Sequence, residues 1–298
     1  LLLSFLFSFK AFSKHKLSDS LLTGFFCLIL FSFHPYHVYS IFGVLLAFIS
    51  IDFWLNRKVT MHHLLHGLIL GIFSLPPLLY HVWTLMHIPA AYEHFLQNIT
   101  LTPPLWVTLI SYGLLIPLAL TGIFFIVKKK EKTRAEIFLI TWFLVQFLLL
   151  YLPIKTQVRL TEGLLFPIAI LATIGLVGVY QKVSPKINIL FLWQKGLISK
   201  IGFLVFAFYI FFFCFFISNA AMLYIDLVLY SLKSSSNYIS ESSYEAMGWL
   251  KNTPENSVTV SGQFTGNVLP VFSLRPVFIG HSHETANSWE KYMKTMDF

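Results

Sequence analysis

The sequence predicts an all-α polytopic membrane domain over residues 1–223. The start of a small extracytoplasmic α/β domain follows over 224–298. Three observations predict this. Apolar residues make up 56% of the chain and charged residues 11%, with 32 Phe, more apolar surface than a soluble domain of this length could hide. Seven stretches approach the roughly 20 apolar residues that a membrane-crossing helix needs. Lys and Arg are distributed over the intervening loops with an alternating parity, the signature of a chain threaded back and forth through a bilayer.

The apolar stretches are read as spans at 17–33, 37–55, 61–86, 105–127, 136–153, 163–181 and 201–223. Residues 1–9 look like the end of a further span. No charged n-region precedes them, so they are not expected to be a signal peptide. The chain starts in an apolar run and stops at Phe298 in an amphipathic one, so we read it as a segment cut at both ends. His34-Pro35-Tyr36 separates two spans with almost no loop. Pro76-Pro77, Pro117 and Pro167 are expected to interrupt three others, since proline frees backbone groups that neighbouring protein or water must satisfy.

Orientation follows from the basic residues. The loops at 10–16, 57–58, 128–134 and 182–200 hold fourteen Lys and Arg. The alternate short loops at 34–36, 87–104 and 153–162 hold two, Lys155 and Arg159. The first set is therefore cytoplasmic, and the second set and the tail face outward. This predicts a multi-pass plasma-membrane protein with an extracytoplasmic C-terminal domain. The net charge of +8 resides in short loops between spans, so nucleic acid is not an expected partner.

Beyond about Tyr230, Ser, Asn and charge appear and the apolar runs shorten. Ser242 and Glu245 have capping-box spacing and open an amphipathic helix through Leu250. Asn252–Asn256 reads as a turn. Ser257–Ser261 and Pro276–Ile279 read as strands. Residues 264–272 read as a short helix or loop, and 285–297 as a helix.

Lys155 and Arg159 are the main candidates for chemistry, because basic side chains are scarce on the outer face. A guanidinium and an ammonium can hold a phosphate and stabilise it as a leaving group. The alternative is a salt-bridged interfacial loop in which Arg159 pairs with Glu162. Gln157 and Glu162 join the same stretch as substrate-binding candidates, with His34 and Tyr36 of the tight turn. Glu93, the acid of loop 87–104, is the internal candidate for a base. His281 and His283, in His-Ser-His-Glu284, are further sugar-binding candidates. His62 and His66 are four apart but lack the glutamate of a zinc helix and read as interfacial. Asp52 and Glu136 read likewise. Cys27 and Cys214 read as apolar filler. No metal site is assigned and no cofactor is certain, a divalent metal being left possible.

The pattern Pro153-x-Lys-x-Gln-x-Arg159, then Gly163-x-x-x-Pro167-x-Ala-Ile-Leu-Ala172-x-x-Gly175, resembles the late-span signature of bacterial GT-C glycosyltransferases. These are polytopic, mannosyltransferase-like enzymes that use polyprenyl-phosphate sugars. Ser273–Thr285, the segment Glu245–Lys251 with Thr253-Pro254, and Phe33-His-Pro-Tyr36 are similar to further stretches of that set. The resemblance implies transfer of a sugar from a polyprenyl-phosphate donor, within the membrane lipid, to an unknown acceptor at the outer face. A carboxylate takes the acceptor's proton, the anomeric centre inverts, and polyprenyl phosphate leaves. Lys155 and Arg159 would hold that phosphate. The family's catalytic aspartate lies in its first outer loop, upstream of Leu1. A lipid or solute transporter or flippase is the alternative, since it too has broken spans and a basic patch. A membrane module whose tail binds a partner is a third reading.

Overall fold

The computed structural model describes residues 1–56, 61–183, 202, 205, 220–232, 238–282 and 284–297. The regular structure among them is helical, apart from one isolated bridge. By packing, the chain divides into two units: Leu1–Tyr92 with Asn98–Lys186, and Glu93–Gln97 with Ile187–Phe298.

The first unit contains α1 (Leu2–Lys14), α2 (Leu17–Phe33), α3 (His37–Asn56), α4 (Met61–His87), the first part of α5 (Pro89–Gln97), α6 (Leu105–Tyr112), α7 (Leu115–Val127), α8 (Arg134–Leu149), a 3₁₀ helix (Gln157–Gly163) and α9 (Leu165–Val183). Among the described residues three helices are long and apolar enough to cross a membrane: His37–Leu55, Met61–His87 and Leu165–Lys182. A fourth crossing results if α6 and α7, bent by 85° at their junction, count as one. This number is smaller than the seven expected. Helix α2 has 17 residues and α8 has 16. The α2 helix stops at the His34-Pro35 turn. A capping box sets the start of α8, with Thr133 Oγ1 accepting from Glu136 N and Glu136 reaching back to Thr133 N. Most of span 201–223 lies outside the described residues.

The prolines mark helix geometry differently from the expectation. Pro76 and Pro77 lie inside a continuous α4. Pro117 and Pro167 sit in the first turns of α7 and α9, where a missing N–H leaves no bond unmade. The break falls at Gly113, whose φ of 52° belongs to a region that favours glycine.

Two apolar cores share α8. Phe138 and Trp142 pack into a cluster with Phe5, Phe12, Phe31, Ile41 and Phe48. Leu139 and Phe143 pack into another with Ile116, Ile126, Leu160, Ile168 and Leu171. Within the second core α7 and α9 touch backbone to backbone. A Cβ on Gly175 would collide with the Leu118 carbonyl, and one on Gly122 with the Leu171 carbonyl. Asp52 is buried. Its carboxylate lies 3.2 Å from Arg134 Nη2 and 3.9 Å from His63 Nε2. His63 and His66 are buried between helices, with Phe12 stacked on the first and edge-on to the second.

The second unit contains α10 (Ala220–Ser231), α11 (Glu241–Leu250), α12 (Gln263–Ser273) and α13 (Ser288–Met296). The cap of α11 is Ser240, accepting from Ser243 N at 3.2 Å, two residues before the expected one. Helices α12 and α13 fall where 264–272 and 285–297 were read. The expected strands reduce to one parallel bridge, Thr259 with Val277, closed by Thr259 N to Pro276 O and Phe278 N to Thr259 O, each 2.9 Å. Two short segments without a third partner are marginal as a sheet, so an α/β domain is not formed among the described residues. The Arg275 guanidinium holds the neighbouring turn, donating to the carbonyls of Thr253 and Lys251.

Candidate functional site

The site is built around the short 3₁₀ helix Gln157–Gly163, and the chain fixes this helix from several sides. Thr100 N donates to Lys155 O at 2.7 Å and Val158 N to Thr100 O at 3.0 Å. Gln157 accepts from Thr102 N at 2.8 Å and donates to Leu152 O at 2.6 Å. From α8, the buried Gln146 amide donates to Ser40 Oγ at 2.9 Å and to Leu160 O at 2.5 Å. Leu160 itself is fully buried in the second core. Gln157 therefore serves the loop with both ends of its amide.

The structure brings the two stretches that sequence reading kept apart into contact. The turn between α2 and α3 meets the 3₁₀ helix. Tyr36 Oη donates to Glu162 Oε1 at 3.0 Å, and His37 Nε2 lies 3.0 Å from Glu162 Oε2. Tyr36 Oη also lies 2.8 Å from His34 Nδ1. A phenol has one proton to give. With that proton on Glu162, His34 Nδ1–H donates to the phenol oxygen. The Arg159 guanidinium carbon lies 5.7 Å from the centre of the Tyr36 ring, within cation–π range. Among the described residues no carboxylate is within ion-pair distance of Arg159. The expected alternative pairing of Arg159 with Glu162 is therefore absent: Tyr36 and His37 take the carboxylate instead.

Burial and the Glu162 hydrogen bond push the Tyr36 phenol up to about 12, so it stays a donor at any physiological pH. Burial also pushes the Glu162 carboxyl up, but the hydrogen bonds from His37 and Tyr36 outweigh it and hold the group below its usual value. A carboxyl whose folded pKa is depressed stabilises the fold fully above its unfolded pKa and loses that contribution as pH falls through the folded one. Thermal melts between about pH 3 and pH 7 should then show an acid-side loss in the wild type that Glu162→Gln lacks. Half the Glu162 side chain is exposed, so solvent keeps the difference modest. Parallel pH profiles for the two proteins would overturn it.

The other candidates lie in the second unit. Glu93 is 3.5 Å from Asn287 Nδ2, His94 Nε2 is 2.9 Å from Glu284 Oε2, and Gln97 donates to Thr285 O at 2.7 Å. The Glu93–Gln97 segment is thus laced to the loop of His281, which is exposed. His283 lies outside the described residues. Among the described residues no three His, Cys, Asp or Glu side chains are grouped to hold a metal ion. A cavity of about 590 Å³ lined by Phe125, Lys129, Gly178 and Lys182 is at the far end of α9 from the 3₁₀ helix.

Sequence reading missed His37, Gln146, Ser40 and Thr100. His37 follows directly on Tyr36, yet it reads as the first residue of a span. No family model matches the chain, and no curated protein matches it.

Proposed function

We propose that this chain acts in glycosyl transfer at the outer membrane face, where it holds a polyprenyl-phosphate sugar with Lys155 and Arg159 on the phosphate. The observation that carries the reading is Arg159. Its guanidinium has no carboxylate partner among the described residues, it rests against an aromatic ring, and its 3₁₀ helix is tied to α8 and to residues 100–102. A guanidinium so held is a ready bidentate donor for phosphate oxygens. It stabilises the negative charge that grows on the phosphate as the sugar leaves. The resemblance of Pro153–Gly175 to GT-C enzymes supplies the reaction class. Within that class the acceptor hydroxyl loses its proton to a carboxylate, its oxygen bonds to the anomeric carbon, and the electrons of the old bond leave with the phosphate. The direct test is binding of a polyprenyl-phosphate sugar to the chain in lipid nanodiscs.

The reading needs the Arg159 loop and the C-terminal tail on the same, outer side. The support is the parity of the basic loops. An alkaline-phosphatase fusion after Phe298 should be active and one after Lys130 inactive. The reverse pattern would defeat the proposal. One observation favours the second reading, lipid transport. The 85° junction of α6 and α7 has the form of a broken or re-entrant span, a common feature of transporters. Sealed proteoliposomes that translocate a lipid-linked sugar without transferring it would favour that reading.

A further inference from the structure

Glu162 is unusual for a carboxylate placed next to a phosphate grip. On a 3₁₀ helix, side chains three apart eclipse one another, so Arg159 and Glu162 rise from one edge of Gln157–Gly163. Three residues of such a helix advance about 6 Å. The two opposite charges do not pair directly: Tyr36 touches both, its ring and hydroxyl beside the guanidinium and its hydroxyl donating to the carboxylate. His37 holds the second oxygen from below. It is 1% exposed, while Glu162 is 50% exposed. The carboxylate is therefore anchored on its buried side and open on the other, with lone pairs free on both oxygens.

An ionised carboxylate repels phosphate and accepts hydrogen bonds from hydroxyls. We propose that Glu162 reads the sugar of the lipid-linked donor: it accepts hydrogen bonds from ring hydroxyls while Arg159, one turn earlier, takes the phosphate. The roughly 6 Å offset along the helix matches a phosphate and the far hydroxyls of the hexose attached to it. Tyr36 and His37 are positioning residues that keep the carboxylate from collapsing onto the guanidinium. The inference rests on the glycosyl-transfer reading above and adds to it which residue selects the sugar.

The experiment compares two ligands on the full chain in nanodiscs, polyprenyl phosphate and polyprenyl-phosphate mannose, by calorimetry. The wild type should bind both, and the sugar-bearing lipid more tightly. Glu162→Gln should lose at least about tenfold in affinity for the sugar-bearing lipid, the worth of a hydrogen bond to a charged group. It should bind polyprenyl phosphate as the wild type does, and this second ligand also reports that the variant is folded. Tyr36→Phe keeps the ring beside Arg159 but removes the hydroxyl that holds Glu162, and should weaken the sugar-bearing lipid more than polyprenyl phosphate. A Glu162→Gln protein with wild-type affinity for the sugar-bearing lipid overturns the assignment of Glu162 and leaves the phosphate reading intact. A Glu162→Gln protein that loses both ligands equally makes Glu162 a structural support and also overturns it. A wild type that binds neither lipid removes the glycosyl-transfer reading itself.

Discussion

Gly175→Leu is expected to abolish the folded first unit. The α7 and α9 helices approach until backbone meets backbone: a Cβ on Gly175 would collide with the Leu118 carbonyl and sit 2.8 Å from Gly122 N. Neither of these atoms belongs to a flexible side chain, so nothing local can yield. The helices must separate, and Ile116, Ala119, Ile168 and Leu171 lose their packing with them. Overpacking a core commonly costs about 1–3 kcal/mol, and forcing two backbones apart lies at or beyond the top of that range. Close approach through small residues is also the main source of attraction between helices in lipid, where hydrocarbon competes with every apolar side chain. The control is Gly71→Leu, a position with nothing within 4 Å of the added carbon. Gel filtration of fluorescent fusions should show a monodisperse Gly71→Leu protein and an aggregated or absent Gly175→Leu protein. A Gly175→Leu protein that elutes and melts like the wild type would refute the backbone contact.

Arg159→Ala should lower affinity for polyprenyl phosphate by about tenfold to a hundredfold, since hydrogen bonds to charged groups are each worth about 1.5–3 kcal/mol. Arg159→Lys should recover part of the loss, because an ammonium keeps the charge but not the planar fork. The loop itself should survive both changes. Its supports are Gln146, Gln157 and the backbone bonds to Thr100, none of which involves the guanidinium. Titration of each variant with polyprenyl phosphate in nanodiscs measures the effect. An alanine variant with wild-type affinity would move the phosphate away from this loop.

The sequence made some of this legible. Helices α2, α3, α4, α8 and α9 fall near apolar runs that periodicity and length pick out, and the His34–Tyr36 turn is visible because proline cannot continue α2. Glu162, Arg159, His34 and Tyr36 could each be singled out by type and loop position. Their meeting could not, because the register of α3 against α8 is set by packing among Ile41, Val44, Trp142 and their neighbours, which no local pattern encodes. His37 was hidden by its position, since a polar residue at the head of an apolar run looks like part of the run. Ser257–Ser261 reads as a strand on β-propensity, but propensity needs a sheet to act on, and the described residues offer one bridge. Pro117 and Pro167 misled in another way: a proline in an apolar stretch can start a helix as readily as break one, and their neighbours Leu115 and Leu165 carry no sign of which.

The hydrogen bond from Tyr36 to Glu162 joins residues 126 positions apart. At a synthesis rate of about 5–20 residues per second, roughly 6–25 seconds pass between the emergence of the turn and that of its carboxylate. For that interval His37 has no acid to meet, and the imidazole at the head of α3 has only the neighbouring rings of His34 and Tyr36 beside it. The site is therefore among the last parts of the first unit to form. A nascent chain halted before Glu162 should leave His37 open to chemical modification, whereas the finished chain shields it.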